Sequence, residues 1–212
     1  MNNLVIIGVG GFAREVYWHA QNSIGYGTEW MIKGFLDGTI RLADEQYKFL
    51  DAPLLGNIEQ YEIQENDVFV CAVANPPIKM MLTEMVEVRG GIFINIIHNT
   101  AMVSSRAILA KGIILCPYTI ISCNVTVGNH VMFNLYSDAG HDAVIGNYTS
   151  VMGHVDITGN VQIGERTYWG SGSRALPHSK IGNDSTVGAG SVVIKKVKAN
   201  QTVFGIPAMP IL

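Results

Sequence analysis

Two side chains of complementary chemistry stand next to each other at His141 and Asp142. An imidazole with an ordinary pKa of about 6.5 exchanges protons at neutral pH, and an adjoining carboxylate fixes the tautomer, so the pair suits a general base. A histidine in an arbitrary turn is more often merely solvated, and His130, His154 and His178 are read that way. A catalytic zinc needs three ligands at related positions. The separations along 130, 141, 154 and 178 are 11, 13 and 24 residues, which share no period and weigh against a metal-dependent hydrolase or lyase. Gly8, Gly10 and Ala13 match G-x-G-x-x-[GA], in which the glycines let a phosphate approach a helix N-terminus. The same residues equally suit a plain tight turn.

The elements that hold these residues are legible from a repeat. Steps of six from Val103 reach Leu109, Leu115, Ile121, Val127, Phe133, Ala139, Ile145, Val151, Ile157, Ile163, Trp169, Ala175, Ile181, Val187 and Val193, all apolar. Four residues after these positions lie Ala107, Ile113, Thr119, Val125, Val131, Ser137 and their successors, nearly all small or β-branched. Helices and hairpins have other periods, whereas three six-residue turns close an 18-residue coil, and stacked coils form a parallel β-helix. Residues 18 apart then lie one above the other, so Gly159 sits one coil above His141. Its N–H, shielded by no side chain, is the candidate oxyanion donor. His141 and Asp142 follow the inward-facing Ala139 by two and three residues and face outward.

Residues 1–98 read differently. An apolar strand, a glycine turn and an amphipathic helix over 4–18 are followed by strands at 32–36 and 68–74, a helix at 78–88 and a strand at 92–97. This alternation predicts a small Rossmann-like parallel sheet that binds ligand at its C-terminal strand ends, where Gly10, Gly11, Phe12, Asp37 and Asn75 fall. An acid after the second strand also fits a dinucleotide ribose, but 98 residues make only half of a dinucleotide fold, and a mononucleotide carrying a sugar fits that size better. A helix cap at Asp37 is the bland alternative.

Of the 212 residues, 48% are hydrophobic and the formal net charge is −3, so no basic stripe argues for nucleic acid. The start lacks the basic region and length of a signal peptide, and no apolar run approaches the roughly 20 residues that span a bilayer. Cys71, Cys116 and Cys123 show no CxxC spacing and fit reduced thiols. A cytoplasmic protein without a membrane partner is expected.

The order of a small α/β domain and hexapeptide coils, with GVGGFAR at 8–14, HDAVIG at 141–146 and GIPAMP at 205–210, resembles the bacterial hexapeptide-repeat sugar acetyltransferases. That family includes sialic acid O-acetyltransferases and N-acetyltransferases of nucleotide-linked 4-amino-4,6-dideoxysugars. The resemblance implies a left-handed parallel β-helix over 99–212, a homotrimer with sites between subunits, and a nucleotide-sugar-binding domain over 1–98. It implies acetyl-CoA as co-substrate, His141 as base, Asp142 as the acid that orients it, and Asn134 near the acceptor sugar. Ser150 stands where several relatives have a histidine near the thioester, and His154 occupies a nearby glycine position. Pantetheine is expected along Ser171 and Ala189, with Gly205, Ile206, Pro207 and Ala208 closing over its far end. Acetylation of an amine on a nucleotide sugar is the expected activity. O-acetylation of a sialic acid or other hydroxyl is the alternative, and a non-enzymatic sugar-nucleotide sensor is disfavoured by the His-Asp pair.

Overall fold

The computed structural model describes residues 1–38 and 47–211. The chain divides into two compact units, Met1–Asn99 and Thr100–Leu212.

The first unit holds a five-stranded parallel sheet in the order β3-β2-β1-β4-β5. Its strands are β1 (Asn2–Ile7), β2 (Trp30–Asp37), β3 (Leu54–Asn57), β4 (Asp67–Cys71) and β5 (Ile92–Phe93). The apolar runs of β1 and β4 are buried on both faces, as central parallel strands require. Helix α1 (Gly11–Ala20) follows β1, and α2 (Pro76–Glu87) joins β4 to β5. Val5, Ile7, Leu36, Phe69, Leu82 and Val86 form the centre of one core cluster. From β1 the chain order runs outward in both directions, so the C-terminal ends of β1 and β4 flank a topological switch point, where such sheets open a crevice.

Three features of this unit differ from the sequence reading. Strand β3 is short, enters from Pro53 and contains Gly56, which masks its strand character. The segment 92–97 is two short strands, Ile92–Phe93 and Ile96–Ile97, of which only the first belongs to this sheet. Helix α2 begins at Pro76 rather than 78, because proline fits a first helical turn and Asn75 caps it.

The second unit is a parallel β-helix of two-residue strands. One face runs through Met102–Val103, Ile120–Ile121, Asp138–Ala139, Asp156–Ile157, Arg174–Ala175 and Val192–Val193, paired in steps of 18. A second face stacks the strands from Ile108–Leu109 to Lys196–Val197, and a third passes through Ile114–Leu115, Met132–Phe133, Ser150–Val151, Tyr168–Trp169, Thr186–Val187 and Thr202–Phe204. The sixth-residue column from Leu115 to Val193 is buried inside the prism, and Ser137, Thr149, Thr167, Ser173 and Ser179 fill its corners at 0% exposure.

Each corner is turned by one residue in the left-handed backbone region. From Tyr118 to Asp184 every sixth residue has positive φ, including His130, Tyr136, Asp142, His154 and Gly172. Non-glycine residues adopt that conformation at a cost, offset here by an axial hydrogen bond, as when the Asp142 N–H donates to the Cys123 carbonyl at 3.1 Å. The period changes only at the top, where Lys180 pairs with Lys196 and Thr186 with Thr202, a step of 16. The last strand, Met209–Pro210, reverses and lies antiparallel to Thr202–Phe204.

Candidate active site

The corner after Asp138–Ala139 carries the dyad. Gly140 comes first, and a side chain there would lie 2.8 Å from the Gly159 nitrogen of the next coil, so only glycine lets the coils close. His141 and then Asp142, at φ 61, project outward. His141 Nδ1 lies 2.8 Å from Asp142 Oδ2. A carboxylate oxygen only accepts, so Nδ1 carries the hydrogen and Nε2 keeps its lone pair, the tautomer that a general base needs.

The carboxylate is held from below as well. Asn124, one coil lower, donates from Nδ2 to Asp142 Oδ1 at 3.0 Å. Hydrogen bonds from His141 and then from Asn124 keep the Asp142 pKa below its ordinary value. Sequence reading missed Asn124, although the 18-residue stacking rule points to it. The imidazole leans upward over Gly159, whose position for a Cβ is 2.6 Å from His141 Cε1 and closer still to Nε2. Glycine is therefore required at 159 to seat the ring. The Gly159 carbonyl accepts from the His178 N–H at 3.2 Å, while the Gly159 N–H donates to no backbone carbonyl among the described residues. The side chains of His141 and Asp142 are 60% and 44% exposed.

The remaining expected contacts are spread over the prism. Asn134 lies at the preceding corner beside Tyr136, and its Oδ1 accepts the Leu135 N–H at 2.6 Å. Ser150 is fully buried in its strand, with its N–H on the Thr167 carbonyl, and offers no surface to a ligand. Ser171 and Ala189 are exposed, 18 residues apart on one corner. Gly205 to Ala208 cross the last coil of that corner: Gly205 N–H donates to Ser191 Oγ at 3.0 Å and Ala208 N–H to the Val192 carbonyl at 2.8 Å.

In the first unit a cavity of about 550 Å³ opens at the switch point, lined by Gly10, Gly11, Phe12 and Asp37 together with Val73, Ile78 and Met81. Helix α1 starts at its rim with Gly10 as N-cap and no side-chain cap, which leaves first-turn N–H groups for an anion. Gly8, the first glycine of the G-x-G-x-x-[GA] match, has φ +112, and a Cβ there would approach the Ala72 carbonyl oxygen to 3.1 Å. Asp37 is 8% exposed, and the Tyr47 hydroxyl donates to its Oδ2 at 3.2 Å. Asn75 is at the strand end as expected, but its Oδ1 accepts the Ile78 N–H at 3.1 Å as the cap of α2.

Among the described residues no group of three or more His, Cys, Asp or Glu is placed to hold a metal ion. No described helix is long and apolar enough to cross a membrane.

Comparison with known proteins gives three findings. A family model described as "Bacterial transferase hexapeptide (six repeats)" matches residues 160–195. GDP-perosamine N-acetyltransferase of Escherichia coli O157:H7 is 30% identical over 186 residues, covering 78% of this chain and 82% of that protein. Among solved structures, the acetyltransferase domain of PglB from Neisseria gonorrhoeae in complex with acetyl coenzyme A superposes with a TM-score of 0.87 at 26% identity, over 100% of both chains. A mutant of perosamine N-acetyltransferase from Caulobacter crescentus, in complex with CoA and GDP-perosamine, gives a TM-score of 0.88 at 24% identity, over 100% of this chain and 98% of that one.

Proposed function

The chain belongs to the bacterial hexapeptide-repeat sugar acetyltransferases, and from that premise we propose that it transfers acetyl from acetyl-CoA to the 4-amino group of a nucleotide-linked 4-amino-4,6-dideoxysugar. The observation that carries the mechanism is the His141–Asp142 contact at 2.8 Å beneath a bare Gly159. His141 Nε2 takes the proton from the amine as its nitrogen attacks the thioester carbonyl. The carbonyl oxygen gains negative charge, and the Gly159 N–H is the donor offered to it. Collapse expels CoA as a thiolate, which the imidazolium reprotonates, so His141 ends as it began.

An exposed dyad works poorly in bulk water, because its hydrogen bonds and charges are screened. A second wall is needed. Met102 and Ile120, 65% and 45% exposed on one prism face, support self-association, and we take the enzyme to be a homotrimer. In that assembly Asn134 would approach the acceptor sugar, with acetyl-CoA running past Ser171 and Ala189 toward Gly205–Ala208. The cavity at Gly10, Gly11, Phe12 and Asp37 fits the nucleotide, its phosphate on the N-terminus of α1. Three free cysteines, two of them buried, accord with a reducing cytoplasm.

The test is thiol release from acetyl-CoA with GDP-, dTDP- and UDP-linked 4-amino sugars and with CMP-sialic acid. Turnover of an amino sugar, lost in His141→Ala with nucleotide binding retained, is the expected result. Turnover of the sialic acid alone would convert the assignment to O-acetylation, and undiminished turnover in His141→Ala would remove the base.

A further inference from the structure

One corner of the prism carries a ladder of rings that stops partway up. Tyr118, Tyr136 and His154 follow each other at intervals of 18, with ring centroids 4.9 and 5.1 Å apart and planes within 14° and 9°. The next two positions in the column are Gly172 and Gly190, at φ +70 and +68, and a Cβ at either would meet nothing within 4 Å. The column is therefore filled below and open above, and the upper face of the exposed His154 imidazole is the floor of the open part. The strap Gly205–Ala208 crosses its top.

The floor lies at a telling height. One coil of 18 residues rises by ~4.8 Å, so Gly159, five residues after His154, is only ~1.3 Å further along the axis. Rotation about an axis parallel to the prisms keeps equal residues level. The His154 ring of one subunit and the Gly159 N–H of the next then stand at nearly the same level, the level at which a thioester carbonyl would bind.

We propose that His154 is the end-stop of the acyl-CoA groove and restricts the donor to short acyl groups. This rests on the reading that pantetheine descends past Ala189 and Ser171. A chain entering from above runs along the two glycines and meets the imidazole face just beyond its carbonyl. A methyl group fits there, and each further methylene must displace the ring. The ring is braced against doing so: it stacks on Tyr136, and the His154 N–H is fixed to the Leu135 carbonyl at 3.0 Å.

The experiment compares acetyl-, propionyl-, butyryl- and hexanoyl-CoA in wild type, His154→Gly and His154→Asn. Both replacements suit a backbone at φ 59, so folding is retained. The expected readout is a rise of about tenfold or more in the butyryl-to-acetyl ratio of kcat/KM in His154→Gly, a discrimination that pocket size can supply. In the converse variant, Gly172→Asn, the obstruction moves up one coil, and the Kd for acetyl-CoA measured by calorimetry rises by a similar factor. A butyryl-to-acetyl ratio within twofold of wild type in His154→Gly overturns the proposal. If wild type turns over no nucleotide sugar, calorimetry with acetyl- and butyryl-CoA decides instead. A preference for acetyl-CoA that His154→Gly abolishes supports the stop and faults only the acceptor; equal affinities in both proteins overturn the stop itself.

Discussion

The imidazole of His141 rests against the Cα of Gly159 one coil above it, in space that any side chain at 159 would claim. Gly159→Ala would place a methyl 2.6 Å from Cε1. Because the ring is largely exposed, it can swing away without disturbing the prism. The expected outcome is an unchanged melting temperature with kcat lowered about a hundredfold, the scale of a misplaced catalytic group. Thermal melts beside steady-state rates check it; a variant with normal kcat would detach the ring position from the chemistry.

Asp142 is anchored twice, and the anchors are separable. Asp142→Asn leaves Nδ1 without a full negative charge and should lower kcat roughly a hundredfold or more. Asn124→Ala removes a single exposed hydrogen bond, expected to cost about fivefold at most. The folded-state pKa of Asp142 lies below its ordinary 3.8. Its contribution to stability is thus present above the unfolded pKa and disappears as pH falls through the folded one. Asn124→Ala should move the carboxyl titration to higher pH, measurable by carbon NMR on aspartate-labelled protein; an unmoved midpoint would show that Asn124 does not act on the carboxylate.

Gly8 and Gly10 should respond in opposite ways to the same substitution. At Gly8 the backbone has φ +112 and a methyl would press on the Ala72 carbonyl, so Gly8→Ala should lose about 1–3 kcal/mol of stability. At Gly10 nothing lies within 4 Å of a Cβ, and its backbone is extended. Gly10→Ala should melt like wild type and raise KM for the nucleotide sugar severalfold, by intruding on the cavity it lines. Equal effects of the two changes would contradict this division.

Asp138 pairs in register with Asp156 across adjacent coils. Burial first, and then the neighbouring carboxylate, push its pKa up to about 6. The folded state therefore binds the proton more tightly than the unfolded chain, and stability falls as pH rises from about 4 through about 6. Asp138→Asn should raise Tm by about 2–4 °C at pH 8, on the order of 1 kcal/mol after allowance for solvent screening of a partly buried group. The gain should vanish near pH 4. Melting curves at the two pH values decide the matter.

The prism was legible because its constraints are periodic. A coil admits one inward side chain every six residues, and Leu115 to Val193 reveal this by type alone. The His141–Asp142 pair was visible as neighbours in sequence, and Gly159 followed from the coil length. Asn124 was not found, because an asparagine at a turn looks the same whether or not it supports a carboxylate one coil away. Asn75 shows the reverse difficulty: its position after β4 suggested a ligand contact, while its carbonyl serves the first turn of α2. Ser150 was placed from a resemblance to histidine-bearing relatives, and its burial depends on packing that a single position does not record.

A stack of parallel strands has an inherent hazard: its final rung presents a row of unmet N–H and C=O groups, a template on which another chain can grow. The reversal of Met209–Pro210 against Thr202–Phe204 covers that rung on one side of the prism. Pro210 has no N–H to offer a further strand, and the Ile211 N–H turns back to the Thr202 carbonyl at 2.9 Å. The strand Met209–Pro210 thus takes up the hydrogen bonds of Thr202–Phe204 and presents a proline on its outer edge.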